Sequence, residues 1–160
     1  INAHMHFYST LVRGLGKAAP SKDFLEVLQN LWWRLDKKLS LDDCYYSALI
    51  PLIDAVKRGT TTIIDHHASP LAARGSLDLI ASAVQKIGVR ASLCYELSDR
   101  DGAKVAQDGI DENVDFIKRC KSEGGEQLKA LFGLHASFTI SDATMKKAAK
   151  AGQELGAGHQ

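Results

Sequence analysis

No stretch of the chain approaches the roughly 18 consecutive apolar residues that a membrane-spanning helix needs, and no basic segment leading into an apolar run opens it. Both absences predict a soluble protein. Cysteine is scarce: Cys44, Cys94 and Cys120 are odd in number and show no C-x-x-C spacing, which argues against a disulfide framework and for a reducing, cytoplasmic compartment. An excess of either charge is also missing. Twenty basic residues stand against nineteen acidic ones, and the Lys and Arg residues form no basic stripe, so neither nucleic acid nor an anionic membrane is an expected partner. There is no low-complexity tract and no internal repeat. What is plentiful is apolar side chain, 45% of 160 residues, enough to bury one substantial core. The expectation is one domain spanning residues 1–160, or a large piece of one. Ile1 is no initiator Met, and Gly156-Ala157-Gly158-His159-Gln160 resembles the turn after a helix, so both ends read as cuts in a longer chain.

Short β-branched runs alternate with longer helical periods. The first strand is expected over residues 1–7. A long excursion over 15–39 follows, containing Trp32-Trp33, and then a helix over 41–58 with Ser40 as N-cap, Asp43 in its first turn and Gly59 at its end. Pro51 should kink or divide that helix, because proline lacks the N–H and clashes with the preceding turn. Thr-Thr-Thr-Ile-Ile marks a strand over 60–67. Leu77, Ile80, Ala81, Val84 and Ile87 form one apolar face of a helix over 76–87, closed by Gly88. A third strand is expected over 89–97, then a polar loop and a helix over 110–122 with Val114, Ile117 and Cys120 inward. The fourth strand covers 128–136, and a helix over 142–155 is capped by Ser141. Alternating βα units mean parallel strands covered by helices, and four of them suit half a barrel or a small doubly wound sheet.

Five of the six histidines fall at the C-terminal ends of these strands: His4 and His6, His66 and His67, and His135. In a barrel of parallel strands that end is where active sites gather. Residues two apart in a strand point the same way, so His4 and His6 can bring two imidazoles to one cation. Two histidines hydrogen-bonded at a strand end are the alternative. Of His66 and His67 only one can face the axis, and His67 is the expectation.

Ile1-Asn2-Ala3-His4-Met5-His6 resembles the first-strand motif of the amidohydrolase superfamily. Tyr8-Ser9-Thr10-Leu11-Val12-Arg13-Gly14, Asn30-Leu31-Trp32-Trp33-Arg34-Leu35-Asp36, Asp65-His66-His67-Ala68-Ser69-Pro70, Cys94-Tyr95-Glu96-Leu97-Ser98-Asp99-Arg100 and His135-Ala136-Ser137-Phe138-Thr139 are similar to SsnA-type aminohydrolases in its cytosine-deaminase and chlorohydrolase branch. The resemblance implies an α/β fold, the first four βα units of a TIM-like (βα)8 metal-dependent hydrolase barrel, and makes His4 and His6 the first two metal ligands. It implies one divalent ion, zinc first and iron second, because binuclear relatives carry a lysine at the fourth strand end where this chain has Leu134-His135-Ala136. The third ligand His, the Asp and the proton-shuttling Glu are then expected beyond Gln160, His159 lying a little upstream of the matching position. His135 would orient substrate. Glu96, Arg100 and Trp32 are further candidates for substrate contact, with ordinary loop charge or packing as the alternative, and His67 joins His135 as a catalytic candidate.

The implied reaction is metal-assisted hydrolysis of a carbon–nitrogen bond in a cyclic amidine-type small molecule. A chlorohydrolase or cyclic amide hydrolase of the same superfamily would use the same residues. A non-catalytic α/β binding module is the remaining class, although no Gly-rich phosphate fingerprint follows any strand. The expected partner is a small molecule, and the chain is expected to be a homo-oligomer or to be completed by the remainder of a longer one.

Overall fold

The computed structural model describes residues 1–14 and 18–160. The start of the predicted excursion, residues 15–17, lies outside them. Four parallel strands form one sheet: β1 (Asn2–Met5), β2 (Thr62–His67), β3 (Arg90–Tyr95) and β4 (Leu128–Ala130), in the order β1-β2-β3-β4. Each strand docks beside its predecessor, the arrangement of a barrel wall, whereas a doubly wound sheet reverses direction at a switch point. Residues 158–160 lie parallel to the continuation of β4: Phe132 N–H donates to the Gly158 carbonyl (2.8 Å) and Gln160 N–H to that of Phe132 (3.0 Å).

The excursion is a chain of short helical turns. A 3-10 turn (Phe7–Val12) leaves β1, and α1 (Phe24–Val27), a π turn (Leu28–Trp32), α2 (Trp33–Leu35) and a second 3-10 turn (Asp36–Lys38) carry the aromatic pair. The remaining helices are α3 (Leu41–Lys57), α4 (Ser76–Ile87), α5 (Ala103–Glu123) and α6 (Asp142–Glu154). Among the described residues none is long and apolar enough to cross a membrane.

Ser40 and Asp43 form a reciprocal capping box at α3, so two amides without helical partners are satisfied. Pro51 lies inside that helix without dividing it. Its missing bond, a cost of about 3 kcal/mol in a free helix, is offset by the burial of Cys44, Ala48 and Leu52 on one face. Helix α5 starts seven residues earlier than expected. Gly109 sits inside the helix, where a Cβ would come within 3.1 Å of the Tyr95 ring. Its lack of a side chain lets α5 approach β3; Asn113 and Phe116 are buried there, and Val114 and Cys120 pack half-buried against the core, inward as expected. Gly88 ends α4 as predicted, at φ 87°, a conformation open to glycine at little cost.

Alternate residues of each strand face the helices. Ile63, Ala91, Leu93 and Leu128 meet Leu52 of α3, with Leu77, Ile80 and Val84 of α4, in the main core. A second cluster joins Leu97 and Phe132 to Ile110, Ile117 and Ala148 under α5 and α6. The opposite residues of the strands face the would-be barrel axis.

Candidate functional site

At the C-terminal ends of the strands lies a cavity of about 350 Å³. Its aromatic wall comes from Tyr8, Phe24, Trp32 and Trp33, and its polar floor from His4, His6, His66, Glu96 and His135. The strands supply the floor and the excursion supplies the wall.

The Nε2 atoms of His4 and His6 stand 3.0 Å apart. Strand periodicity brings both rings to one side. His6 Nδ1 lies 2.7 Å from the His66 backbone carbonyl, an acceptor, so Nδ1 carries the proton and Nε2 is left with a free lone pair. Orientation of a ligating imidazole through its other nitrogen is the usual support of a metal-binding histidine. The 3.0 Å contact then reads as an N–H···N bond from His4 or as two lone pairs sharing a cation. Two nitrogens on a tetrahedral zinc at ordinary bond lengths would lie about 3.3 Å apart, so the donor pair fits such an ion. Among the described residues no group of three or more His, Cys, Asp or Glu side chains is arranged to hold a metal by itself. Burial holds the His6 pKa below its ordinary value, against the bond to His66, and the neighbouring His4 adds to the lowering.

Asp65 explains how the chain leaves β1. Its fully buried carboxylate accepts the Phe7 backbone N–H at 2.7 Å, fixing the turn directly after His6. Burial raises its pKa well above the carboxylate range.

His135 has its tautomer fixed in the same manner. Thr139 Oγ1 donates to the Ala136 carbonyl (2.7 Å), so it accepts from His135 Nδ1 (2.6 Å), and the bare Nε2 faces Glu96 Oε1 at 3.5 Å. Burial, with Arg100 nearby, lowers His135 to about 4. Burial likewise raises Glu96 to about 8, against the opposing effect of Arg100. Near neutral pH the pair is therefore a neutral imidazole beside a protonated carboxyl group.

His4, His6, His135, Glu96 and Trp32 all line this one cavity. His67 does not. It is fully buried on the helix side, with Nε2 2.9 Å from Ser69 Oγ and 3.4 Å from Cys44 Sγ of α3. Strand parity gives the reason: Ile63, Asp65 and His67 face the helices, so the axis-facing member of the pair is His66. Burial lowers His67 to about 3. Arg100 also departs from expectation. It is absent from the cavity lining and forms a buried ion pair with Asp36 behind the aromatic wall, its guanidinium 5.2 Å from the centre of the Trp33 ring. Asp101 and Lys37 extend the pair (Lys37–Asp101 2.6 Å, Arg100–Asp101 3.2 Å), fastening the excursion to the loop after β3. His159 turns toward α6, its Nε2 3.4 Å from the Ala148 carbonyl, whereas the side chain of Gln160 reaches inward to His4 Nδ1 at 3.4 Å. Sequence reasoning missed the cavity residues His66 and Asp36, and Tyr8 and Phe24 of the wall; only the parity of β2 could have revealed His66, and nothing local marks Asp36.

The comparisons agree with this geometry. A 5-methylthioadenosine/S-adenosylhomocysteine deaminase of Desulforudis audaxviator is 32% identical over 158 residues, 99% of this chain and 34% of the relative. A 5'-deoxyadenosine deaminase of Methanobrevibacter smithii is 30% identical over 141 residues, 88% of this chain and 30% of the relative. Among solved structures, an adenosine deaminase from Xanthomonas campestris with bound zinc superposes with a TM-score of 0.79 at 18% identity, over 99% of this chain and 34% of that one. The chain thus spans about a third of the length of the relatives it matches. The profile of the Amidohydrolase family matches residues 1–158, and the chain belongs to that family.

Proposed function

We propose that this chain is the metal-holding first half of a hydrolytic deaminase that removes the exocyclic amine from an adenine-type heterocycle, the barrel being completed by chain outside these 160 residues. The observation that carries the reading is the pair of Nε2 atoms of His4 and His6, 3.0 Å apart beside a cavity with one aromatic wall. The relatives point to the substrate class, since those described above are deaminases of adenosine-type molecules.

His4 and His6 would hold one divalent ion. Zinc is the first choice, for the donor set is two neutral imidazoles. Such an ion supplies the Lewis acidity that makes hydroxide available near neutral pH. The chain's own groups do the rest of the work in this half. Trp32 and Phe24 offer flat apolar surface to a heterocycle and keep water from one side of it. His135 presents a lone pair at Nε2 to an N–H of the ligand, and the protonated Glu96 presents a hydrogen-bond donor beside it. Together they match a ring edge that carries an N–H next to a bare nitrogen. The substrate is a small molecule, and neither nucleic acid nor membrane is a proposed partner. Three free thiols, Cys44, Cys94 and Cys120, support a cytoplasmic location; a homo-oligomer is the proposed assembly of the completed barrel.

The test is direct. The complete protein, purified with zinc and its metal content measured, is assayed for ammonia release from adenosine, 5'-deoxyadenosine and 5'-methylthioadenosine, with a chlorotriazine and a cyclic amide in parallel. His4→Ala and His6→Ala are each expected to lose most of the bound zinc and more than about 100-fold in rate. Full zinc occupancy with turnover of the chlorotriazine or cyclic amide, and none of the amines, would sink the deaminase reading.

A further inference from the structure

We propose that His66 is a substrate-contacting residue of this site, its imidazole supplying a hydrogen bond to a ring nitrogen or exocyclic N–H of the heterocycle beside His4 and His6. The proposal rests on the functional reading above and adds to it a residue that determines affinity.

The position follows from the strand. His66 pairs in register with Cys94 of β3, and its ring lies on the axis side of β2, 6.1 Å from the His4 ring and 5.8 Å from that of His6. It is only 6% exposed, yet it lines the cavity, and its buried Nε2 has no hydrogen-bond partner in the protein. An unpaired buried nitrogen is costly, and most such groups in folded proteins are paired. His66 lines the same cavity floor as Glu96 and His135. His67, also buried with an unpaired nitrogen, is packed on the helix side and is absent from the lining of this cavity.

A third metal ligand is the competing role, and the geometry disfavours it. The rings of His6 and His66 are stacked, with 21° between their planes, rather than converging edge-on. No three potential ligands among the described residues surround one point. A heterocycle edge asks less: one polar atom within reach, which an imidazole satisfies in either tautomer. The backbone of His66 has a separate task, accepting the proton of His6 Nδ1 (2.7 Å), and a side-chain substitution leaves that carbonyl in place. Loss of the side chain should therefore weaken substrate binding and spare the metal.

The complete, zinc-loaded protein is compared with His66→Leu, which fills the space without a polar atom, and His66→Gln, which restores one. For each protein KM, kcat and zinc content are measured with adenosine and 5'-methylthioadenosine, and the Kd for adenosine is taken by calorimetry. In His66→Leu, KM or Kd should rise about tenfold or more, kcat should fall less, and zinc should stay stoichiometric; His66→Gln should recover part of the loss. A KM and Kd within twofold of wild type, or zinc lost in step with activity, would overturn the proposal. If His66→Leu does not fold, the 15N resonances of the wild-type His66 imidazole decide, shifting with added adenosine if the contact exists and staying fixed if it does not. Wild-type protein that binds adenosine without releasing ammonia would defeat the deaminase reading while the Kd comparison still judged His66. Wild-type protein that binds neither nucleoside would overturn both.

Discussion

Asn113 and Tyr95 exchange two hydrogen bonds across the helix–sheet boundary: Asn113 Oδ1 accepts from the Tyr95 N–H at 2.9 Å, and Asn113 Nδ2 donates to the Tyr95 carbonyl at 2.8 Å. Strands β3 and β4 are in register from Ala91 to Leu93 and touch again where Leu97 meets Gly133 and His135, but they part at Tyr95. The side chain of α5 fills that gap, with Oδ1 also accepting from Gly133 N–H at 3.2 Å. Gly133 has to be glycine, because a Cβ there would strike the Tyr95 carbonyl. The strand ends that carry Glu96 and His135 thus depend on one amide. Asn113→Ala leaves several buried backbone groups unpaired, at about 1–3 kcal/mol each. A loss of roughly 3 kcal/mol in urea unfolding is expected, and Asn113→Asp should not recover it, because the oxygen replacing Nδ2 meets the Tyr95 carbonyl as acceptor against acceptor.

The Asp36–Arg100 pair predicts a non-additive result. Both side chains are almost wholly buried, at 2% and 10% exposure. Removing one partner strands a charge in the interior and is expected to cost about 3–5 kcal/mol, whereas replacing both with apolar groups of similar size recovers most of that. Arg100→Met, Asp36→Leu and the double variant, compared by chemical denaturation, give the coupling. Trp33 fluorescence should change in every variant lacking Arg100, since the guanidinium stacks over its ring. Equal, additive losses would show that the pair does not act as a unit.

Glu96 predicts a pH dependence whose sign is fixed. Its pKa is raised by burial from 4.5 to about 8, so between those values the folded chain keeps a proton that the unfolded chain has lost. Stability attributable to Glu96 therefore falls as pH rises through that window and levels above it. His135, lowered by burial from 6.5 to about 4, gives a slope of the opposite sign between those values, where only the unfolded chain takes up its proton, and wild type and Glu96→Gln share that slope. The stability of wild type relative to Glu96→Gln should therefore fall as pH rises through the window, by roughly 1.4 kcal/mol per pH unit. Parallel stability curves for wild type and variant between pH 5 and 8 would contradict this account.

Glu112 caps a helix to which it does not belong. Its two carboxylate oxygens accept the N–H groups of Gly75 (2.7 Å) and Leu77 (2.9 Å) at the start of α4, whose own N-cap is a glycine without a side chain. Glu112→Ala should destabilise by about 1–2 kcal/mol, and amide exchange at Leu77 should accelerate more than at residues late in α4.

The βα alternation and the sequential sheet are legible in sequence because each element is signalled locally: a capping box at Ser40 and Asp43, a β-branched run before Asp65, a glycine after Ile87. His4 and His6 are legible as a pair because strand parity needs only their spacing. The choice between His66 and His67 is a different matter. Ile63 and Ile64 precede them with equal hydrophobicity, so neither parity is marked, and only the register with β1 and β3 settles which imidazole meets the axis. Asn113, Glu112 and Asp36 escape sequence reading because each acts on a partner more than 15 residues away through a hydrogen bond or ion pair that no local pattern encodes. The early start of α5 escapes it too, because close packing of Gly109 against Tyr95 outweighs the poor helix propensity of glycine.

The sequential order of the strands has a temporal consequence. Each strand pairs with the one synthesised just before it, so the sheet can grow as the chain leaves the ribosome without waiting for a distant segment. The fastening of the excursion cannot follow that schedule, because Asp36 finds Arg100 only after β3 has emerged. The part of the floor made by His4, His6 and His66 at the ends of β1 and β2 comes before that fastening, Glu96 emerges just ahead of Arg100, and His135 joins the floor last, after β4.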